Sequence, residues 1–457
     1  MKKTGRKINL PEKQSAIPAG LLWIQWERTF HKNKRRVVLI EADGDTKWTA
    51  QALNDRIIDF LELLGQQKSG AKIAFCLPNG ASWMAFFLAL QRLGLSAIPL
   101  DASLPDQACL EMARHLGCQA LYLRGKLHVF EVDRGNKRGI CCIKVTSGTS
   151  GGLPKTVPCR AEHLIADGMN IIRTMGIRPD DRNLVTIPLG HSYGLGNFVL
   201  PLILQGTALV CAKHFVPRQL VEWIGLHRAT VFPSVPAIFR ALASMPVRSR
   251  LTPLRLAISA GAPLTAEVAR AFFERFHLKI HNFYGSSETG GICYDRKGDA
   301  TLDGRSVGKP LAGVTVRADH GVIEIESAAV AKRGGRWRMP DHGEWNSQCE
   351  IVLWGRRGRE INIGGKKVHP SEVEHALRGV PGITEAIVWV VSQSERSFLQ
   401  AAVETHLSLG EVQKALSIRL PEWKFPKRYF ITTELPRTAR GKVDMTALRK
   451  EMADKAY

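Results

Sequence analysis

The first half of the chain alternates short apolar segments with longer segments of helical pattern. Residues 71–78 form one apolar run, residues 81–93 follow with a helical pattern, and residues 95–100 supply the next apolar run. The apolar runs at residues 183–189 and 208–211 repeat this pattern and are each expected to form a strand. A strand, a helix and a second strand in this order favour parallel pairing, so the alternation predicts parallel sheets covered by helices. Ligands of such sheets bind in loops at the carboxyl ends of the strands. Candidate site residues are therefore expected in those loops.

The pattern changes after about residue 310, where short strands alternate with polar turns. A basic, glycine-bearing segment at residues 355–359 leads into a compact α+β pattern. At 457 residues the chain is too long for one ordinary core. We predict an α/β protein with a large N-terminal domain of parallel sheets flanked by helices plus a β-rich subdomain, residues 1–354. A small, mobile α+β C-terminal domain is predicted for residues 355–457.

Composition excludes several classes of protein. Hydrophobic residues make up 44% of the chain and charged residues 23%, as in ordinary globular proteins. No apolar run approaches the roughly 20 residues that a membrane helix needs, and the N-terminus is a poor secretory signal. The nine cysteines contain no C-x-x-C pair, which favours reduced thiols over a disulfide framework or a zinc site. We therefore expect a cytoplasmic protein with no membrane span.

The formal net charge of +22 has two explanations. One is nucleic-acid binding, and the other is a basic surface that keeps the protein soluble and attracts anionic small molecules. Basic residues cluster near the N-terminus, but no helix-turn-helix, zinc-finger or RNP-like pattern accompanies them. We therefore expect no nucleic-acid partner. A gel-shift assay at physiological salt would distinguish a nucleic-acid binder from a protein whose surface is merely basic.

A loop rich in hydroxyls and glycines follows the apolar run at residues 140–145. Glycines let backbone N–H groups converge on phosphate oxygens, and the hydroxyls add further donors. A lysine shortly after the loop can neutralise a β- or γ-phosphate, although the spacing is not that of a P-loop. The pattern indicates a phosphate-binding loop, with a flexible surface loop as the alternative. Its residues are Thr146, Ser147, Gly148, Thr149, Ser150 and Gly151, followed by Lys155.

Two further segments carry complementary chemistry. In residues 282–289, Tyr284 offers an aromatic face for a base, and Glu288 offers a carboxylate for Mg²⁺. Residues 436–444 place Lys442 on a short turn after a glycine. A phosphate-binding loop, an acidic metal ligand beside a tyrosine, and a late lysine are the groups needed to attack ATP at its α-phosphate.

Together, and in this order over almost the whole chain, these motifs resemble those of the adenylate-forming superfamily. That superfamily includes acyl-CoA synthetases, carrier-loading adenylation domains and beetle luciferases. The resemblance implies that residues 146–155 form the phosphate loop and that His191, within residues 188–194, gates a carboxylate pocket. The resemblance also implies an adenine pocket at Gly261 and Ala262, adenine stacking by Tyr284 beside Gly285, a phosphate contact by Ser287 and a magnesium ligand in Glu288. Asp341 and Arg356 would contact the ribose. In the C-terminal part, Gly358 would be the hinge, Gly364 and Gly365 would line the thiol tunnel, and Lys442 would be the lysine of the adenylation step.

The chain departs from the superfamily pattern at several positions. The phosphate loop has one extra residue in Gly152-Leu153, and Thr156 replaces the usual last glycine. Met339-Pro340 replaces Thr-Gly before Asp341, and the hinge position carries glycine. The segment between Glu288 and Asp341 is also short, but no departure removes a charged catalytic group.

The resemblance implies ATP-dependent activation of a carboxylic acid through an acyl-adenylate, with release of pyrophosphate. Transfer of the acyl group to coenzyme A would follow, with ATP and Mg²⁺ as requirements. A close alternative is the loading of an acyl or aryl group onto the phosphopantetheine of an acyl carrier protein. A third hypothesis is a non-catalytic nucleotide-binding relative. Small or apolar residues in the expected pocket segments favour an aromatic or medium-chain acid, and nothing in the sequence indicates an oligomeric state.

Overall fold

The computed structural model describes residues 20–65, 67, 70–131, 139–146, 155–212, 216–246, 250–356, 361–363, 366–368, 370–393, 396–420, 422–438 and 443–454. The described strands of the larger, N-terminal part are β1 Val37–Glu41, β2 Thr46–Thr49, β3 Lys72–Cys76, β4 Ser96–Leu100, β5 Ala120–Leu123, β6 Lys126–Val129, β7 Cys142–Thr146, β8 Lys155–Cys159, β9 Arg182–Val185, β10 Ala208–Cys211, β11 Val231–Ser234, β12 Leu256–Ser259, β13 Ile280–Ser286, β14 Gly290–Tyr294, β15 Lys309–Pro310, β16 Val314–Asp319, β17 Val322–Ser327, β18 Arg336–Trp345 and β19 Ile351–Arg356. Its described helices are α1 Leu21–Asn33, α2 Ala50–Leu64, α3 Ala81–Arg92, α4 Asp106–His115, α5 Ala161–Met175, α6 Ser192–Gly194, α7 Leu200–Gln205, α8 Pro217–Leu226, α9 Pro236–Ala243, α10 Ala266–Phe276 and α11 Asp299–Asp303.

Two sheets form the body of the N-terminal part. Among the described strands, one sheet has the order β6-β5-β3-β4-β7-β8, and the other has the order β15-β14-β13-β12-β11-β9-β10-β1-β2. Their central strands pair in parallel, whereas the edge strands β2, β6, β8, β14 and β15 pair antiparallel. The prediction of parallel sheets is therefore confirmed for the sheet centres, and hairpins close their edges.

Helix α3 lies within the core that joins the two sheets. Its residues from Trp83 to Gln91 are all buried, and one apolar cluster contains those from Trp83 to Leu90 together with Phe75 of β3 and Val231 of β11. A helix that is apolar on all sides is stable in water only when it is covered on all sides. The helix predicted at residues 81–93 is thus confirmed at Ala81–Arg92.

A four-stranded antiparallel sheet, β16-β17-β18-β19, follows the two large sheets. Its buried residues Val316, Ile323, Met339 and Ile351 share one apolar cluster with Ile292 of β14. The meander is therefore packed against the edge of the nine-stranded sheet, which brings β18 close to β13 and β14.

The C-terminal lobe begins with two short paired strands. Its described elements are β20 Ile361–Ile363, β21 Lys366–Val368, α12 Pro370–Arg378, β22 Ile383–Gln393, β23 Arg396–Thr405, α13 Leu409–Ser417, β24 Arg428–Thr432 and α14 Met445–Asp454. Strands β22, β23 and β24 form one sheet, and α12 and α13 cover it through Val373, Leu377, Val412 and Leu416.

The α/β class, with a large sheet-rich N-terminal part and a smaller C-terminal part, is confirmed. The boundary at residue 355 and the mobility of the small domain stay predictions, since residues 357–360 lie outside the described ranges. In the part of the chain that the structure describes, every helix is too short or too polar to cross a membrane.

Candidate active site

The candidate phosphate loop spans the tip of the β7–β8 hairpin. Thr146 ends β7 and is the cross-strand partner of Lys155, which begins β8. The Thr146 hydroxyl also donates to the Lys155 carbonyl at 3.2 Å. Residues 147–154, which include Ser147, Gly148, Thr149, Ser150 and Gly151, lie outside the described ranges. The hairpin therefore fixes where the loop leaves and re-enters the six-stranded sheet.

His191 is exposed on the segment between β9 and α6. Its main-chain N–H donates to Pro188 at 3.0 Å, and its Nδ1 accepts from the Tyr193 N–H at 3.4 Å. Tyr193 is buried, and its hydroxyl donates to the carbonyls of Ser234 and Ile258 at 3.3 and 3.0 Å. Because those carbonyls lie at the ends of β11 and β12, Tyr193 anchors the histidine segment to the carboxyl edge of the nine-stranded sheet.

Gly194 lets this segment turn tightly. A Cβ at Gly194 would lie 2.1 Å from the Pro188 carbonyl oxygen, so a larger residue would displace the loop. A π-helical turn, Leu195–Val199, follows directly. Such turns often occur at functional sites, and this one ends the loop that presents His191.

Gly261 and Ala262 are exposed just beyond the end of β12. Gly261 has a φ of +86°, a conformation that glycine adopts without strain. The end of β12 pairs in parallel with β13, with Ser259 opposite Asn282. The small residues predicted for the adenine pocket therefore lie at the same sheet edge as Tyr284.

Tyr284 and Asp341 meet directly. The Tyr284 hydroxyl donates to Oδ2 of Asp341 at 2.6 Å, and both side chains are half-buried. Asp341 lies on β18 opposite Arg356 of β19. The structure describes the backbone of Arg356 only, so its predicted ribose contact stays a prediction. The candidate adenine residue and the candidate ribose residue thus come from two different sheets.

Glu288 lies on the turn between β13 and β14. The Ser287 hydroxyl accepts a 2.7 Å hydrogen bond from Ser192, which joins this turn to the residue after His191. The Glu288 carbonyl accepts from the Ala331 N–H at 2.8 Å. Among the residues that the structure describes, none donates to the Glu288 carboxylate. At Gly285, a Cβ would lie 2.6 Å from the Gly290 carbonyl oxygen, so this turn also requires a small residue.

The remaining predicted residues lie outside the described ranges. They are Gly358, Gly364, Gly365 and Lys442. Their assignments as hinge, thiol tunnel and adenylation lysine stay predictions. Of the described candidates, the His191 segment and the Glu288 turn meet through the Ser192–Ser287 bond.

Sequence reasoning missed a buried lysine beneath this site. Lys144 of β7 is 4% exposed, and its ammonium donates to the Ser287 carbonyl at 3.2 Å. Burial by itself would lower the pKa of Lys144, but neighbouring groups, Cys159 first and then Asp167, Cys142 and Glu288, raise it above the usual value. A charged residue within an apolar strand was the available signal, since a buried charge requires polar partners.

Asp167 of α5 was missed as well. It is 3% exposed, and its Oδ1 accepts from the Gly291 N–H at 2.8 Å. Burial raises the pKa of Asp167, while Lys144 and the Gly291 N–H oppose that rise. Its position in the middle of a helix gave no local sign that it would contact a turn 124 residues away.

The candidates after β11, β12 and β13 lie at the carboxyl ends of neighbouring strands of one sheet, which is where ligands of open α/β sheets bind. The sequence comparison is more specific, because the model of the AMP-binding enzyme family matches residues 26–139 and 127–320. This is more than half of the chain, and the chain belongs to that family.

Curated relatives include several CoA ligases. The long-chain-fatty-acid–CoA ligase FadD13 of Mycobacterium tuberculosis is 24% identical, over 90% of this chain and 94% of the relative. The 3-hydroxybenzoate–CoA ligase of an Aromatoleum species is 29% identical, over 83% of this chain and 87% of the relative. The feruloyl-CoA synthase of an Amycolatopsis species is 25% identical, over 82% and 88%.

Solved structures share the fold. ATP-bound MatB from Rhodopseudomonas palustris superposes with a TM-score of 0.81 at 21% identity, covering 94% of this chain and 99% of that one. O-succinylbenzoate coenzyme A synthetase from Bacillus subtilis, in complex with AMP, superposes with a TM-score of 0.78 at 21% identity and covers 92% and 96%. At these identities the likeness concerns the fold.

Proposed function

We propose that the protein is an ATP-dependent acid–thiol ligase that forms an acyl-adenylate, releases pyrophosphate and then transfers the acyl group to coenzyme A. The observation that carries this proposal is that Ser287, beside Glu288, is bonded both to Ser192 of the His191 segment and to Lys144 of the strand that leads into the Thr146–Lys155 hairpin. We assign the bonded pair Tyr284–Asp341 to the nucleoside. Membership in the AMP-binding enzyme family and the named CoA ligases among the relatives support it.

The first half-reaction must bring two anions together. A carboxylate oxygen attacks the α-phosphorus of ATP, and the bond from that phosphorus to pyrophosphate breaks. Lys155 and the hydroxyls of the hairpin loop would hold the leaving phosphates, and Lys442 would stabilise the charge that builds on the phosphoryl oxygens. Tyr284 and Asp341 would fix the nucleoside, so that positioning supplies much of the rate. No protein nucleophile is required.

The residues present fit a magnesium ion. Mg²⁺ commonly binds through one or two carboxylates plus substrate phosphates rather than through a complete protein cage. Glu288 offers a half-buried carboxylate with no donor among the described residues, and those residues contain no group of three or more metal-binding side chains. When bound there, Mg²⁺ would neutralise phosphate charge.

In the second half-reaction, the sulfur of coenzyme A attacks the acyl carbonyl and AMP leaves. Gly364 and Gly365 would leave room for the thin pantetheine arm, and rotation about Gly358 would exchange them for Lys442. The boundary between the two domains, at residue 355, belongs to this proposal. We further propose an aromatic or medium-chain acid, because the segments expected to line its pocket contain small or apolar residues such as Val235 and Ala260.

The test is pyrophosphate release from ATP and Mg²⁺ against a panel of fatty and aromatic acids, with and without coenzyme A. Release that depends on one acid and speeds up with coenzyme A supports the ligase and identifies its substrate class. Acid-dependent release that is indifferent to coenzyme A would favour an acyl carrier protein as the acceptor. The absence of release with every acid, in protein that binds ATP, would favour a non-catalytic relative.

A further inference from the structure

Lys144 links the two large sheets directly beneath the candidate site. It belongs to β7 of the six-stranded sheet, two residues before the candidate phosphate loop. Its ammonium donates to the carbonyl of Ser287, which follows β13 of the nine-stranded sheet. Removing an ammonium from water is costly unless hydrogen bonds and opposite charge compensate it. A buried lysine at this position therefore depends on the turn that it contacts.

Asp167 supports the other end of the same turn. Its carboxylate accepts from the Gly291 N–H at 2.8 Å, and Gly290 beside it has a φ of +70°. A Cβ at residue 290 would lie 2.4 Å from Oδ1 of Asp167. The carboxylate can therefore approach the turn only because residue 290 is glycine. A Cβ on Gly196, in the π-helical turn after the His191 loop, would also lie 3.2 Å from Oδ2 of Asp167.

Glu288 lies between these two anchors. Lys144 holds the residue before it, and Asp167 holds the N–H of Gly291, three residues after it. A third bond, from the Ala331 N–H, holds the Glu288 carbonyl itself. The backbone that carries this carboxylate is thus fixed on both sides, while the carboxylate has no donor among the described residues.

We infer that Lys144 is a positioning residue: its buried ammonium, bonded to the Ser287 carbonyl, fixes the turn that places the Glu288 carboxylate against the metal and triphosphate, while Asp167 holds the far side of the same turn. This inference rests on the proposed function. Lys144 acts through the Ser287 carbonyl and contacts neither the acid nor the reacting phosphorus. Outer partners of metal ligands typically change metal affinity about 10- to 100-fold when they are removed.

The central experiment compares ATP affinity with Mg²⁺ and with EDTA, measured by calorimetry on the full chain. Lys144→Met keeps the apolar stem and removes the ammonium. We expect the tightening of ATP binding by Mg²⁺ to fall by about tenfold in this variant, with a parallel rise in the Mg²⁺ concentration needed for pyrophosphate release. ATP affinity in EDTA should stay within about twofold of the wild-type value, since the nucleoside contacts are intact.

Lys72→Met is the matched control. Lys72 of β3 lies in the same sheet and donates to a backbone carbonyl, that of Leu116, at 3.1 Å. The Lys72→Met variant should be less stable than the wild-type protein, but the effect of Mg²⁺ on its ATP binding should be unchanged. If Lys144→Met does not fold, the double variant Lys144→Met with Asp167→Asn removes both charges and leaves no unpaired buried ion. The double variant should fold and still show the weakened response to Mg²⁺.

The outcomes separate this inference from the proposed function. A wild-type response to Mg²⁺ in Lys144→Met, or in the double variant when only that one folds, overturns the positioning role. Acid-dependent pyrophosphate release by the wild-type protein would in that case leave the ligase proposal standing. Absence of such release from the wild-type protein would overturn the ligase proposal, and the inference with it.

Discussion

The Tyr284 hydroxyl donates a 2.6 Å hydrogen bond to Oδ2 of Asp341, 57 residues further along the chain. The bond joins β13 of the nine-stranded sheet to β18 of the antiparallel meander. A residue predicted to stack on adenine and a residue predicted to hold ribose therefore act as one unit. Any shift of the meander relative to the large sheet therefore also shifts the proposed nucleoside site.

Tyr284→Phe keeps the ring and removes this bond. Hydrogen bonds to charged groups contribute about 1.5–3 kcal/mol, so we expect the Kd for ATP to rise by about tenfold or more. Calorimetric titration with ATP measures this Kd. The same titration of Asp341→Asn and of the double variant completes a double-mutant cycle, which gives the coupling free energy between Tyr284 and Asp341. Tyr122→Phe, on a buried strand of the other sheet, is the control. An unchanged Kd in Tyr284→Phe would contradict the shared nucleoside role.

Lys442→Ala should abolish the first half-reaction and spare the second. Loss of a donor to a developing oxyanion costs about 10²- to 10³-fold in rate, so we expect adenylate formation to fall at least that far. Thioester formation from supplied acyl-adenylate should stay within about twofold, because Lys442 makes no contribution to thiol attack in the proposed mechanism. Rapid-quench assays of each half-reaction give both rates. Equal loss of both half-reaction rates would exclude a specific role of Lys442 in adenylate formation. Lys450→Ala, on an exposed position of α14, is the control.

Gly365→Trp should give the converse result. An indole in the proposed thiol tunnel blocks the pantetheine arm, while ATP and the acid still react. We expect acid-dependent pyrophosphate release in a single turnover to persist and thioester output to disappear, measured by chromatography of the acyl-CoA product. Gly410→Trp is the matched control, because a Cβ there meets nothing within 4 Å. Normal thioester output from Gly365→Trp would remove the tunnel assignment.

Arg240 of α9 joins the large part of the chain to the C-terminal lobe. It contacts the buried Glu404 at 3.0 Å, and Glu404 also accepts from Arg437 at 2.8 Å, five residues before Lys442. Burial and the neighbouring Arg437 lower the pKa of Arg240, while Glu404 opposes that shift. Among the described residues, Arg240→Leu leaves the Glu404 carboxylate bonded only to the Leu435 N–H and to Arg437. We expect adenylate formation to slow by about tenfold, since a charged hydrogen bond of this kind contributes roughly 1.5–3 kcal/mol.

The ratio of the two half-reaction rates measures this effect. Thioester formation from supplied acyl-adenylate should change less, because the contact links α9 to the segment that leads to Lys442. Arg218→Leu, which removes an exposed pair with Glu222 in the same part of the chain, should leave both rates near wild type. Equal slowing of both half-reactions by Arg240→Leu would show that the contact serves stability alone.

The environment of Asp181 should make the free energy of unfolding depend on pH. Burial by itself would raise the pKa of its carboxyl, but hydrogen bonds from Arg255, the Arg178 N–H and Thr230 lower it below the usual value. A lowered folded-state pKa gives stability that is present above the unfolded pKa, near 3.9, and is lost as the pH falls through the folded value. Asp181→Asn should therefore lower the free energy of unfolding by about 2 kcal/mol at pH 7.

Urea titrations at pH 7 and at descending pH test this dependence. The gap between wild type and Asp181→Asn should close progressively as the pH falls below about 4, because the wild-type carboxyl becomes protonated. Asp59→Asn, which breaks an exposed pair with Arg56, should differ from wild type by less than about 1 kcal/mol at every pH. A gap that does not depend on pH would assign the effect of Asp181 to packing.

Local pattern determined much of what could be predicted. Helix α3 and strands β4 and β10 follow from runs of apolar residues whose length and periodicity leave few alternatives. The run at residues 183–189, by contrast, was predicted as one strand, and β9 ends at Val185. The chain leaves the sheet there because Asn79 binds the Ile187 carbonyl and the Leu189 N–H, at 3.0 and 2.9 Å. Strand β9 therefore ends at a contact made by another loop, and such a contact cannot be predicted from the spacing of apolar residues.

The sequence by itself determined the α/β class, the order of the motifs and the chemical types of the candidate residues, because these depend on neighbours along the chain. Only the tertiary structure decided which of them meet. The bonds from Ser192 to Ser287, from Lys144 to the Ser287 carbonyl and from Tyr284 to Asp341 join segments 95, 143 and 57 residues apart. Their geometry depends on how two sheets and a meander pack together, and that packing is a property of the whole folded core.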